Sequence, residues 1–144
     1  MATGYFYTVL LVSFDPSRDY PLGTSRPDLV RTPGGMSLDE LELHGDRVDA
    51  AELRATPETL RLQADVARAA GRTQLADNLL RAAELAPLPD ETILAIYTAL
   101  RPRRSTAAEL EAWAEQLDGW DAPGTAAFVR EAAQVHAERG LFAG

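Results

Sequence analysis

The stretch Thr56–Thr106, TPETLRLQADVARAAGRTQLADNLLRAAELAPLPDETILAIYTALRPRRST, decides the fold. Thr56-Pro57 pairs an N-cap with a proline at the first helical position, and Gly71 supplies a C-terminal stop, so one helix is predicted between them. Its apolar face mixes large and small residues: Leu60, Leu62, Ala64, Val66 and Ala67. A second helix is expected from Thr73 to just before Pro87, with Leu75, Leu79, Ala82, Ala83 and Ala86 on one side. Pro89-Asp90-Glu91 opens a third and places acid at the positive end of the helix dipole. In that helix Ile93, Ile96, Tyr97 and Leu100 follow the i, i+3, i+4, i+7 spacing of one buried face, and Pro102 ends it.

Toward the C-terminus the pattern continues. Thr106 and Glu109 have capping-box spacing at the head of a fourth helix, in which Leu110, Trp113, Ala114 and Leu117 repeat the apolar stripe. A fifth helix is expected from Pro123 to about Glu138, closed by Gly140, with Phe128, Ala132 and Val135 inward. Toward the N-terminus the composition changes. Of 25 alanines only Ala2 precedes residue 50, whereas the first 49 residues hold nine Gly or Pro, among them Asp15-Pro16, Tyr20-Pro21, Arg26-Pro27 and Pro33-Gly34-Gly35. Proline holds itself and its predecessor in extended or turn geometry, so this part should be irregular. Ser37 and Glu40 are spaced to cap one short helical turn within it. The expectation is an all-α protein: an open helical bundle of about five helices, three of them main, in a body spanning residues 50–144, preceded by an irregular arm over residues 1–49.

The ten-residue run Tyr5–Phe14, YFYTVLLVSF, is too short to span a bilayer, which takes about 20 apolar residues. No Lys or Arg precedes it, as a signal peptide would require, and its Tyr, Phe and Val content suits a strand or an arm covered by a partner. A cytoplasmic chain is expected. Alanine-rich faces let helix axes approach closely but bury little area each. With Trp120 and the Tyr5–Phe14 run left outside the helical pattern, the body is expected to lean on a permanent partner.

The chemistry is sparse. The chain has 144 residues and a formal charge of −8, and all 14 of its basic residues are arginine, an overall balance that argues against nucleic acid as a partner. It has no cysteine, which excludes disulfides and thiolate metal sites, and only two histidines, His44 and His136. Asp39, Glu40 and Glu42 cluster, as do Glu109, Glu111 and Glu115, but no Glu-x-x-His pair accompanies them and they read as solvated helix faces. Gly34-Gly35 lacks the context of a phosphate loop, and no serine sits in a nucleophile elbow. No catalytic, cofactor-binding or metal-binding residue is therefore expected. The one basic concentration is Arg101-Pro102-Arg103-Arg104, just past a helix C-terminus, where it complements the dipole or grips carboxylates of a partner.

Several blocks resemble one family. ETLRLQA (Glu58–Ala64), RAAEL (Arg81–Leu85), the PDE helix opening (Pro89–Glu91) and ILAIYTALRPRRS (Ile93–Ser105) stand in order, flanked by DYPL (Asp19–Leu22), PDLVRTPGGMSLDELEL (Pro27–Leu43) and AAFVREAA (Ala126–Ala133). Together they are similar to the small (gamma) subunit of the adenosylcobalamin-dependent diol and glycerol dehydratases, over about residues 19–139. The resemblance implies a hydro-lyase that converts 1,2-propanediol or glycerol to an aldehyde and water. It implies a cytoplasmic assembly of two large, two medium and two small subunits, in which the large and medium subunits hold adenosylcobalamin and the active site lies on the large one. The small subunit would then be a helical scaffold with no catalytic residue of its own. Some relatives tied to bacterial microcompartments carry a long amphipathic N-terminal extension; the residues before Asp19 are not of that kind, so this N-terminus is not expected to direct encapsulation, and a microcompartment location stays open through another subunit. Asp19, Tyr20, Pro21 and Leu22, together with Arg101, Arg103 and Arg104, are the expected contacts with the large subunit. The competing reading is a helical adaptor or regulatory module outside any enzyme; diol and glycerol specificity would lie on other chains.

Overall fold

The computed structural model describes residues 13–144 and is all-α, with no strand among the described residues. The expected strand or arm at Tyr5–Phe14 lies almost wholly outside them. Two short helices, α1 (Leu22–Ser25) and α2 (Leu38–His44), sit in the arm, and five longer ones follow: α3 (Pro57–Ala69), α4 (Thr73–Leu85), α5 (Asp90–Ala99), α6 (Ala107–Gly119) and α7 (Pro123–Arg139). None is long and apolar enough to cross a membrane.

The helix ends are where the capping chemistry puts them. The Thr56 hydroxyl accepts from the Thr59 amide and Pro57 occupies the first turn of α3, while Ser37 with Glu40 and Thr106 with Glu109 form complete capping boxes. Gly140 closes α7 in the left-handed region at φ +63°, a conformation that carries a steric penalty for any residue with a Cβ.

The body is built from two helical hairpins. α3 packs along α4 through Ala64, Ala67 and Ala76, with Leu79 and Leu80 at the edge. α6 packs along α7, and the main core gathers Leu110, Ala114 and Leu117 of α6, Ala126 and Val129 of α7, Leu85 at the end of α4, and Ile96 and Ala99 of α5. Ile96, Leu110, Leu117 and Val129 are the largest fully buried side chains, each worth about 1.5–3 kcal/mol of transfer free energy. The α3–α4 seam, made of alanine, brings backbones close for a smaller apolar gain.

Three readings of helix faces need correction. Tyr97, expected in the buried face of α5, is 53% exposed, because the side of α5 that meets the core carries Ile93, Ile96, Ala99 and the following Leu100. Phe128, expected inward, is exposed: the buried stripe of α7 runs Ala126, Val129 and His136, one residue round the helix, and the Arg81 guanidinium stacks on the Phe128 ring at 4.7 Å. Leu75 and Ala82 of α4 also face solvent, since Ala76 and Ala83 take the inward stripe.

The arm is held by local polar contacts more than by a core. Among its described residues before Pro57, only Asp19, Leu22 and Thr32 are buried. Thr32 closes a turn by accepting from the Met36 amide, Glu52 reaches back to the Gly34 amide at 3.0 Å, and Asp49 caps the 3-10 turn Ala50–Leu53. Arg54 ties the end of the arm to the start of α5 through two hydrogen bonds to Asp90, at 3.2 and 2.9 Å.

Candidate subunit interface

The expected contact residues fall into two places with different characters. At the first, Asp19 is an internal organiser: its carboxylate accepts from the Asp15 amide at 2.9 Å and from Arg18 Nε at 3.2 Å, and lies 3.5 Å from Arg26 Nη1. The Asp15 N–H bond holds the Asp19 carboxyl below its ordinary pKa, with the neighbouring Arg18 and Arg26 guanidiniums acting in the same direction. Leu22 is buried as well, so these two residues shape the arm from inside, while Tyr20 (68% exposed) and Pro21 face outward. Tyr20, Pro21 and Leu22 form one wall of a groove of about 760 Å³ whose other wall is Val66, Ala70, Leu75 and Leu79 of the α3–α4 hairpin.

The second place is the turn between α5 and α6. Arg101, Arg103 and Arg104 are all exposed, and among the described residues no carboxylate lies within ion-pair distance of them. Arg54, Arg68 and Arg130 differ in that Asp90, Asp77, and Glu111 with Asp118 meet their charge. The backbone of the turn is fixed: Arg103 has φ +62°, and its amide donates to the Leu141 carbonyl at 2.7 Å.

Two exposed residues of the signature block ILAIYTALRPR were missed as surface, Leu94 and Tyr97. The signal was available, because α5 is apolar beyond one stripe, with Leu94 beside Ile93 and Tyr97 beside Ile96; a helix apolar around more than one face has more to cover than its own core. Trp120, already outside the helical pattern, is exposed at the end of α6.

The remaining candidates do not converge. Glu109 is engaged in its capping box, Glu111 pairs with Arg130 at 2.9 Å, and among the described residues no three metal-ligating side chains come together. His44 is exposed at the end of α2. His136 is buried edge-on to Phe142, with ring centroids 5.9 Å apart, and its Nδ1 has no hydrogen-bond partner.

The described residues thus form an all-helical body with an irregular arm, uncovered apolar side chains and an arginine turn that no described carboxylate pairs with. The sequence matches the dehydratase small subunit family over residues 16–142, and the chain belongs to that family. It is similar to the propanediol dehydratase small subunit of Citrobacter freundii, 50% identical over 125 residues that cover 84% of this chain and 73% of the relative. The propanediol dehydratase small subunit of Salmonella typhimurium is likewise 50% identical over 125 residues, covering 84% of this chain and 72% of the relative.

Proposed function

We propose that this chain is the small, non-catalytic subunit of a coenzyme B12-dependent diol dehydratase, and that it stabilises the holoenzyme by packing on the large subunit. The reaction of the assembly is removal of water from 1,2-propanediol or glycerol to give an aldehyde. The observation that carries the reading is the 50% identity over 125 residues to two propanediol dehydratase small subunits. The partners are the large and medium subunits, in the cytoplasm.

Adenosylcobalamin, which supplies the radical chemistry when bound, does not fit the donors of this chain. His44 stands alone on a short helix of the arm, and the Nδ1 edge of His136 is closed off inside the bundle. The reading assigns the coenzyme to the other subunits, as the family likeness implies, and no step of the reaction is routed through residues here. The contribution of this chain is positional. Tyr20 and Pro21 offer an aromatic anchor beside the groove, Asp19 and Leu22 set the shape of the segment that carries them, and Arg101, Arg103 and Arg104 offer guanidiniums for carboxylates of the large subunit.

The test is co-expression of the large and medium subunits with and without this chain, reading assembly mass and adenosylcobalamin-dependent aldehyde formation from 1,2-propanediol and from glycerol. Loss of activity or solubility on omission supports the reading. If the two larger subunits assemble and turn over normally alone, the accessory role fails and a helical adaptor outside the enzyme takes its place.

A further inference from the structure

Resting on that reading, we infer that the outer face of α5 and the arginine turn after it form one docking surface, braced from behind by the C-terminal segment. Its occupant is a partner subunit presenting an apolar depression rimmed by carboxylates. The groove beside Tyr20 is a separate place in the fold and is not part of this surface.

Leu94 is 66% exposed and Tyr97 53%, whereas Ile96, between them in sequence but on the opposite side of the helix, is 1% exposed. Leu94 and Tyr97 stand three residues apart, one turn along the same flank, and a further step of four residues reaches Arg101 just past the helix end. The surface thus runs from a leucine through a tyrosine to three guanidiniums in four residues of turn. Apolar anchors flanked by arginine are the side chains that dominate binding where one subunit seats on another. The chain carries −8 overall, yet this turn holds three arginines and, among the described residues, no carboxylate pairs with them. The complement is a surface with acidic groups placed around an apolar hollow.

The brace explains how such a turn is kept ready. Arg103 sits in the left-handed region, which a non-glycine residue holds only where its surroundings enforce it. They do so here with two backbone bonds to the C-terminal segment. The Arg103 amide donates to the Leu141 carbonyl at 2.7 Å, and the Ala143 amide donates to the carbonyl of buried Ser105 at 2.9 Å. Between these two bonds Phe142 packs into the main core, edge-on to His136. The backbone from which the guanidiniums project is fixed before binding, so less freedom is lost when carboxylates arrive.

The experiment uses the full chain, labelled and titrated into the co-expressed large–medium complex. Leu94→Asp and Tyr97→Ala should each weaken binding at least about ten-fold, and Arg101→Gln with Arg104→Gln should also remove most of the salt dependence. Leu43→Asp, on the exposed arm helix α2, should change binding less than about two-fold. Phe142→Ala should weaken binding while leaving the helix signal in place, and Arg103→Gly, which keeps the turn but drops one guanidinium, separates loss of contact from loss of fold. If the wild-type chain binds and every α5 and turn variant binds within about two-fold of it, the docking surface and the arginine contacts proposed with it are wrong, while the reading of the chain as a dehydratase small subunit stands. If the wild-type chain does not bind the complex, the proposed function itself fails. If the same variants instead abolish self-association of the isolated chain, the occupant is a second copy and the inference is overturned.

Discussion

Replacing Glu84 by alanine should loosen the joint between the two hairpins. Glu84 lies on α4, yet its carboxylate caps α7: it accepts from the Gly124 amide at 2.9 Å, the Thr125 amide at 2.7 Å and the Thr125 hydroxyl at 2.6 Å. α7 has no capping side chain of its own at Ala122, so the first turn relies on a residue 40 positions earlier. Losing a cap costs about 1 kcal/mol, and leaving polar groups of the buried Thr125 unpartnered adds about 1–3 kcal/mol. The two contributions share the same bonds and do not add in full, so the net expectation is about 2 kcal/mol, or about 7 °C in melting midpoint for a chain of this size. Glu84→Gln keeps an acceptor oxygen but loses the charge and should cost about 1 kcal/mol. Gly124→Ala belongs in the same series, because a Cβ there would stand 2.9 Å from Glu84 Oε1 and push the carboxylate away. Urea unfolding followed by far-UV circular dichroism measures all three variants. Coupling shows in a cycle with Thr125→Val, where Glu84→Ala should cost less once the hydroxyl is gone. A Glu84→Ala variant within about 0.5 kcal/mol of wild type would refute the trans-cap reasoning.

Leu117→Ala removes a fully buried side chain at the centre of the α6–α7 hairpin and should cost about 3 kcal/mol by the same urea measurement. Gly140→Ala should cost about 1 kcal/mol from backbone conformation alone, since nothing lies within 4 Å of the added Cβ. Glu109 accepts from the Thr106 amide, which lowers its pKa below the ordinary 4.5. Its contribution to stability is therefore present above the unfolded value and is lost as pH falls through the lower folded one. Glu109→Gln should accordingly destabilise most at neutral pH and converge with wild type in acid, as read from unfolding midpoints across pH. Tyr20→Ala, at an exposed position, should leave the melting midpoint of the isolated chain nearly unchanged and weaken co-purification with the large subunit; unchanged co-purification removes Tyr20 from the proposed contact set.

What could be read in advance follows from the range over which each signal acts. Caps and stops are local chemistry, so Thr56-Pro57, the Thr106–Glu109 box and Gly140 mark their helix ends correctly. Which flank of a helix is buried depends on neighbours, and there the pattern fails by a rotation. Phe128 is more apolar than His136, yet His136 is inside, because α7 meets α6 along Val129 and the tail closes over the imidazole with Phe142. Tyr97 fits a buried stripe by spacing, but α5 touches the body along one narrow line. The joint made by Glu84 is invisible in sequence, since nothing near it announces a partner 40 residues on. Of the expected contact residues, the exposure of Arg101, Arg103 and Arg104 was legible because three charges in four positions resist burial; that Asp19 and Leu22 are buried was not, because the DYPL block carries no period.

The division of labour within the chain follows from its composition. Alanine seams let α3 and α4 lie close, but their small buried area leaves the α3–α4 hairpin dependent on the Glu84 cap, the Leu85 insertion into the main core and the Arg81–Phe128 stack. The arm adds almost no core and is held by carboxylates and amides at its own turns, with Arg54–Asp90 as its tie to α5. A molecule built this way keeps larger side chains such as Tyr20, Leu94, Tyr97 and Trp120 at positions that face away from the internal core. Selection for self-contained stability would replace exposed leucine and tyrosine on α5 with polar residues at little cost, because Ile96 alone provides the deep anchor there. Their presence beside a braced arginine turn is what the proposed docking surface predicts, and the α5 and turn variants decide whether it is the reason.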